Sequence, residues 1–173
     1  MISNSFPLSV GVTTPGPQIP PSFAQIGIGP WGKNILRCLD ELSLLHTVCD
    51  INESIIRPLE ENFAGAIFTT SFVKVLENPD VRAVIVATPA LTHFELVKKA
   101  ILAGKDVFVE KPLSLCLEEG QEIVHLADRQ RKVLMVGHIL QYHPAILKLK
   151  HLIVGGELGR IQYIYANRLN IGQ

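Results

Sequence analysis

The stretch "AQIGIGPWGKN", residues 24–34, decides the fold. It places Gly27, Gly29 and Gly32 directly after a short apolar run, in the G-x-G-x-x-G spacing of a turn that leaves a strand and enters a helix. In that setting the first glycine permits the tight turn, the second lets the backbone approach a pyrophosphate, and the third allows close helix packing. The helix N-terminus then presents unpaired N–H groups and a partial positive charge to the anion. The same residues also describe a plain glycine-rich turn between two buried elements, so the flanking sequence has to decide.

From Ala24 onward short apolar runs alternate with longer amphipathic stretches, the rhythm of strand and crossover helix. Strands are expected over 23–28, 46–49, 66–69, 83–87, 107–109 and 133–136, and helices over 33–42, 53–63, 72–76, 92–102 and 117–131. The fourth helix is the best signalled. Thr92 and Glu95 stand in the T-x-x-E order of a capping box, Phe94, Val97 and Ile101 form an apolar stripe, and Gly104 sits where a helix would stop. The "AVIVAT" run, residues 83–88, is apolar at consecutive positions, as a strand covered on both faces requires. The fold class is therefore α/β, with a doubly wound parallel sheet.

Beyond Val136 the pattern changes to a helix over 144–153, a "GGELG" turn and an extended stretch over 161–171. In that stretch Ile161, Tyr163, Tyr165, Leu169 and Ile171 share one face, and Gln162, Arg168 and Asn170 share the other. A strand with one apolar face and no following partners reads as the start of a second sheet. It is open to pairing with another copy in a homo-oligomer, to aggregation, or to packing on its own domain. The expected division is a flexible Pro-rich extension over 1–22, a nucleotide-binding domain over 23–141, and the incomplete start of a second α/β domain over 142–173.

A chain of 173 residues has room for one ordinary domain and the beginning of another. With 47% hydrophobic residues it can bury a substantial core, while 16 basic against 16 acidic residues leave no net charge to draw nucleic acid or an anionic membrane. Cys38, Cys49 and Cys116 fall in no Cys/His pattern, which argues against a disulfide framework or a metal site and for reduced, mostly buried thiols. No apolar run reaches the roughly 18 residues of a membrane span. The N-terminus lacks the charged start and long apolar stretch of a secretion signal, so a cytoplasmic location is expected.

Chemistry-bearing residues fall at the expected carboxyl ends of strands, the edge where open α/β sheets bind ligands. Asp50 ends the second strand, 18 residues beyond Gly32, where a carboxylate accepts hydrogen bonds from adenosine ribose hydroxyls and repels a 2′-phosphate. That favours NAD over NADP. Asp50 also suits the "DINES" turn and the cap of the next helix. Thr88 and Pro89 end the fourth strand, with His93 in the following turn; a helix-entry turn with an ordinary polar residue is the alternative. Glu110, Lys111 and Pro112 end the fifth strand, either as a surface ion pair or with Lys111 as the catalytic candidate, a lysine able to donate to a substrate oxygen.

Together, Gly27-Ile28-Gly29-Pro30-Trp31-Gly32, Thr88-Pro89-Ala90-Leu91-Thr92-His93 and Glu110-Lys111-Pro112 resemble the Gfo/Idh/MocA family of NAD(P)-dependent oxidoreductases, over about residues 23–173. The resemblance implies a Rossmann domain followed by an α/β domain with an open, mostly antiparallel sheet. It places the E-K-P lysine beside nicotinamide and substrate and makes its proline often cis. The segments "GPWGKN", "VGHILQYHPAI" and "RLNIG" look like the branch of nucleotide-sugar enzymes that includes UDP-N-acetylglucosaminuronate 3-dehydrogenases. That likeness sets His138, Tyr142 and His143 along the cleft, and Arg168 and Asn170 towards the sugar or its phosphates. Members of the family usually continue through an H-x-x-D-type segment and most of a second sheet, neither of which is seen in these residues.

The resulting expectation is an oxidoreductase acting on a secondary hydroxyl of a sugar. Gly27, Gly29, Pro30, Trp31, Gly32, Asp50, Thr88, Pro89, His93, Glu110, Lys111 and His138 are on the cofactor. Tyr142, Arg168 and Asn170 join Lys111 on the substrate, with no metal. By itself the chain is expected to bind NAD and to be catalytically incomplete. A non-catalytic NAD-binding or interaction module, and a purely structural α/β domain, are the other readings.

Overall fold

Six strands pair in parallel to form one sheet in the computed structural model, which describes residues 20–167. They are β1 (Phe23–Ile26), β2 (Leu45–Cys49), β3 (Ile67–Thr69), β4 (Ala83–Val86), β5 (Asp106–Val109) and β6 (Leu134–Val136), in the spatial order β3-β2-β1-β4-β5-β6. The connecting helices are α1 (Pro30–Glu41), α2 (Glu53–Glu60), α3 (Phe72–Glu77), α4 (His93–Leu102) and α5 (Leu117–Gln130). The order reverses between β1 and β4, so the loops leaving these neighbours turn to opposite faces and open a crevice at their carboxyl ends.

The two faces bury separate apolar layers. Leu36 and Leu39 of α1 pack with Val48 and Ile85 on one side. Val75 of α3, Val97 and Ile101 of α4, and Ile123 of α5 pack with Ile26, Val84, Val86 and Val109 on the other. All four residues of β4 are buried, because Val84 and Val86 face one layer and Ile85 the other. This double coverage is why the strand reads as a continuous apolar run, each such side chain contributing about 1.5–3 kcal/mol. The edge strands β3 and β6, covered less, keep only partial burial.

Three local expectations are corrected. The second helix stops at Glu60 and residues 61–65 continue as turns; Pro58, inside it, has no N–H to extend the ladder. Thr92 does not cap α4, because a 3-10 turn over Ala90–Thr92 already holds it in helical conformation, whereas a capping residue is extended. Its hydroxyl donates to the Pro89 carbonyl instead, and Glu95 pairs along the helix with Lys99. Of the cysteines only Cys49 is buried; Cys38 lies on the exposed side of α1 and Cys116 ahead of α5.

The chain divides between Val136 and Gly137. The second unit carries a 3-10 turn over Ile139–Tyr142 and helix α6 (Pro144–Val154), which His143 caps by accepting the Ala145 N–H at Nδ1 over 3.2 Å. Residues 161–167 join no sheet, since among the described residues there is no second sheet to complete their backbone hydrogen bonds. The Pro-rich stretch over 1–19 and the tail from residue 168, with Arg168 and Asn170, lie outside the described residues.

Candidate functional site

The glycine turn is held from beneath by the sheet. Gly27 adopts φ +85°, and a Cβ there would meet the Ala87 carbonyl oxygen and Thr88 Cγ2, both at 2.7 Å. A Cβ on Gly32 would run into the Gly27 carbonyl oxygen. These two glycines are therefore demanded by the fold itself, the first where the turn packs on the loop after β4 and the third where α1 packs on the turn. Gly29 differs, since a Cβ there meets nothing within 4 Å. The second glycine faces open space at the carboxyl end of the sheet.

Gly29 is also the N-cap of α1, which has no side-chain cap and no acid in its first turn. Neighbouring α2 and α3 open under the side chains of Asn52 and Ser71, each accepting a first-turn N–H. The exposed N-terminus of α1 thus keeps donors and a partial positive charge for an anion, and the residues present fit a dinucleotide's pyrophosphate.

Asp50 carries out two tasks at once. Its Oδ2 accepts the Ile28 backbone N–H over 2.8 Å and its Oδ1 accepts that of Asn52 over 2.9 Å. The carboxylate ties the glycine turn to the end of β2, while Asn52, not Asp50, caps α2. Beside it, burial first and the Asp50 charge second push the Cys49 thiol up to about 11. Cys49 therefore stays protonated through the neutral range.

On the other side of the crevice the Trp31 indole N–H donates to Glu110 Oε1 over 2.6 Å, joining the first turn of α1 to the end of β5. Glu110 Oε2 accepts the backbone N–H of Lys111 over 3.3 Å. The surface ion pair between Glu110 and Lys111 does not form: among the described residues Lys111 is in no salt bridge or side-chain hydrogen bond, and its side chain is exposed. The Lys111–Pro112 peptide is cis.

His93 is almost fully buried, at 1% exposure. Its Nδ1 lies 2.6 Å from the Pro112 carbonyl oxygen and its Nε2 2.9 Å from that of Thr88. Both ring nitrogens thus face backbone carbonyls, and the ring N–H donates to one of them between the loop after β4 and the loop after β5. The hydroxyls of Thr88 and Thr92 lie 2.7 Å apart, and Pro89 begins the 3-10 turn between them. His138 and Tyr142 belong to the second unit, where both are exposed around the short turn over 139–142.

Gln25 belongs to none of the sequence motifs yet supports the glycine turn. Fully buried in β1, it donates its amide to the Gly27 carbonyl over 3.0 Å and steadies the turn from below. Its Oε1 has no partner among the described residues. The signal was one polar residue inside the otherwise apolar "FAQI" strand.

The fold is shared with known dehydrogenases. A curated relative, scyllo-inositol 2-dehydrogenase (NAD(+)) of Bacillus subtilis, is 39% identical over 90 residues, covering 52% of this chain and 26% of that protein. The crystal structure of a probable dehydrogenase from Thermotoga maritima superposes with a TM-score of 0.74 at 28% identity, covering 80% of this chain and 42% of the other. The WlbA dehydrogenase from Chromobacterium violaceum, solved with NADH and UDP-GlcNAcA, gives a TM-score of 0.75 at 29% identity, covering 82% and 44%. The chain spans between about a quarter and two fifths of the length of the curated relatives it matches. No helix among the described residues is long and apolar enough to cross a membrane. The family model described as "Oxidoreductase family, NAD-binding Rossmann fold" matches residues 22–138, well over half of the chain, and the chain belongs to that Gfo/Idh/MocA family.

Proposed function

We propose that this chain is the cofactor-binding part of an NAD-dependent oxidoreductase that takes a hydride from a secondary hydroxyl of a sugar, with nucleotide sugars of the UDP-N-acetylglucosaminuronate type as the substrate class. The observation that carries the reading is the open space over Gly29, set between two glycines the fold has closed, at the start of a helix without a cap of its own. The substrate class draws support from a relative named for inositol and from the neighbour solved with UDP-GlcNAcA.

In this reading the first-turn N–H groups of α1 hold the pyrophosphate. Gly27, Gly29, Pro30, Trp31 and Gly32 form its cradle. Asp50 receives the adenosine ribose hydroxyls and disfavours a 2′-phosphate. Thr88, Pro89 and Glu110 border the nicotinamide half, and His93 acts by fastening the loops that carry Thr88 and Pro112. When bound, NAD supplies the nicotinamide C4 that accepts the hydride. Lys111 polarises or deprotonates the substrate hydroxyl. This chain alone binds NAD and turns over poorly.

Titration of NADH, followed by quenching of the single tryptophan, tests the reading. Saturable quenching by the wild-type chain and none by Gly29→Val is the expected result. A thermal shift is expected alongside it, since ligand at about 100 times its dissociation constant adds about 2.7 kcal/mol. Equal signals from both proteins, or no shift, would reject it. A non-catalytic NAD-binding module passes this titration and differs in yielding no NADH from any sugar when joined to a complete second domain.

A further inference from the structure

We propose that Trp31 is a positioning residue whose indole N–H holds the Glu110 carboxylate away from the neighbouring Lys111 ammonium, keeping that amine unpaired for chemistry. Glu110 is one residue from Lys111 in sequence, the acid nearest that amine along the chain, and its carboxylate is bound elsewhere. Glu110 is 9% exposed, with one oxygen on the indole N–H at 2.6 Å and the other on the Lys111 backbone N–H at 3.3 Å. Both of its oxygens are thus directed to donors other than the ammonium, and Lys111 stands exposed with no acidic partner among the described residues.

The bond spans 79 residues of sequence and is made by the only tryptophan in the chain. Its donor sits in the first turn of α1, two residues after the Gly29 cap, so the same element that receives the pyrophosphate in the proposed function also restrains the acid beside the reactive amine. Tryptophan suits the role because its N–H can donate but not accept. A phenylalanine ring would fill the space and release the acid. Freed, the carboxylate gains a cation one residue away, and an acid beside a lysine favours the ammonium over the free amine.

The assignment of Lys111 as the reactive amine rests on the proposed function, whereas the clasp itself is a property of this chain and is tested separately. The rate at which sulfo-NHS acetate acetylates Lys111 at fixed pH, read by mass spectrometry on the folded full chain, reports the free amine. Trp31→Phe is expected to slow labelling about threefold, the effect of one exposed ion pair. Adding Glu110→Gln in the same chain is expected to restore the wild-type rate. A purely packing role for Trp31 predicts no such rescue. Equal rates in wild type and Trp31→Phe, or a double variant as slow as the single one, would overturn the clasp. If Trp31→Phe does not fold, Glu110→Gln in the wild-type background must shift the emission of the lone tryptophan, and unchanged emission would equally reject it. Saturating NADH is expected to protect Lys111 from the reagent. Absence of protection together with rescue would remove the cofactor reading and leave the clasp standing.

Discussion

Ile28 donates its backbone N–H to Asp50 Oδ2 over 2.8 Å, so the glycine turn and the end of β2 are one hydrogen-bonded unit. The carboxylate that faces the proposed ribose also shapes the turn that faces the proposed pyrophosphate. Loss of the side chain therefore has both a structural and a binding consequence.

Asp50→Ala leaves the buried Ile28 N–H without its acceptor and is expected to lower unfolding stability by about 1–3 kcal/mol in urea titrations. Asp50→Ser keeps a short acceptor and removes the charge. Its NADPH affinity relative to NADH is expected to rise, measured by parallel titrations of the two cofactors. An unchanged ratio would take Asp50 out of the ribose site.

The three glycines are expected to separate under the same substitution. Gly32→Ala and Gly27→Ala push a Cβ into backbone, the latter also at positive φ, and should destabilise by more than about 1 kcal/mol. Gly29→Ala meets open space, so its melting temperature should match wild type while NADH binding weakens. Calorimetry of the apo variants beside NADH titration checks the split.

Cys49 links stability to alkaline pH. Its thiol stands at 9.0 in an unfolded chain and is raised to about 11 in the folded one, chiefly by burial. The folded state then holds the proton more tightly, so this contribution is complete below pH 9 and is lost as pH rises towards about 11. The difference in unfolding free energy between wild type and Cys49→Ala should shrink across that window, by an amount on the order of 2 kcal/mol. In native conditions alkylation should reach the exposed Cys38 and Cys116 well before Cys49.

Lys105 offers a control at the opposite rim of the sheet. Its ammonium is buried and donates to the carbonyls of Asn78 and Val81 at 2.7 and 2.8 Å, while burial and then the charge of Lys132 push its pKa down. Lys105→Met strands both carbonyls and is expected to reduce stability by about 1–3 kcal/mol. NADH affinity at temperatures where the variant is folded should be unchanged, because Lys105 precedes β5 and the proposed site lies beyond its other end.

The local order of residues was enough to determine the alternation of strand and helix, the doubly covered β4 and the position of the glycine turn. Those features follow from apolar spacing and from glycine's conformational freedom, which act over a few residues. Which donor meets which acceptor was a matter for the tertiary structure alone. Asp50 and Ile28 are 22 residues apart, His93 and Pro112 are 19, and Trp31 and Glu110 are 79, and nothing in local propensity joins them. Only parallel pairing, which carries the ends of β1, β2, β4 and β5 to one edge, brings these side chains within hydrogen-bonding reach. The same logic explains where sequence reading erred: a T-x-x-E pattern cannot show that a preceding 3-10 turn has already bent Thr92 into the helix.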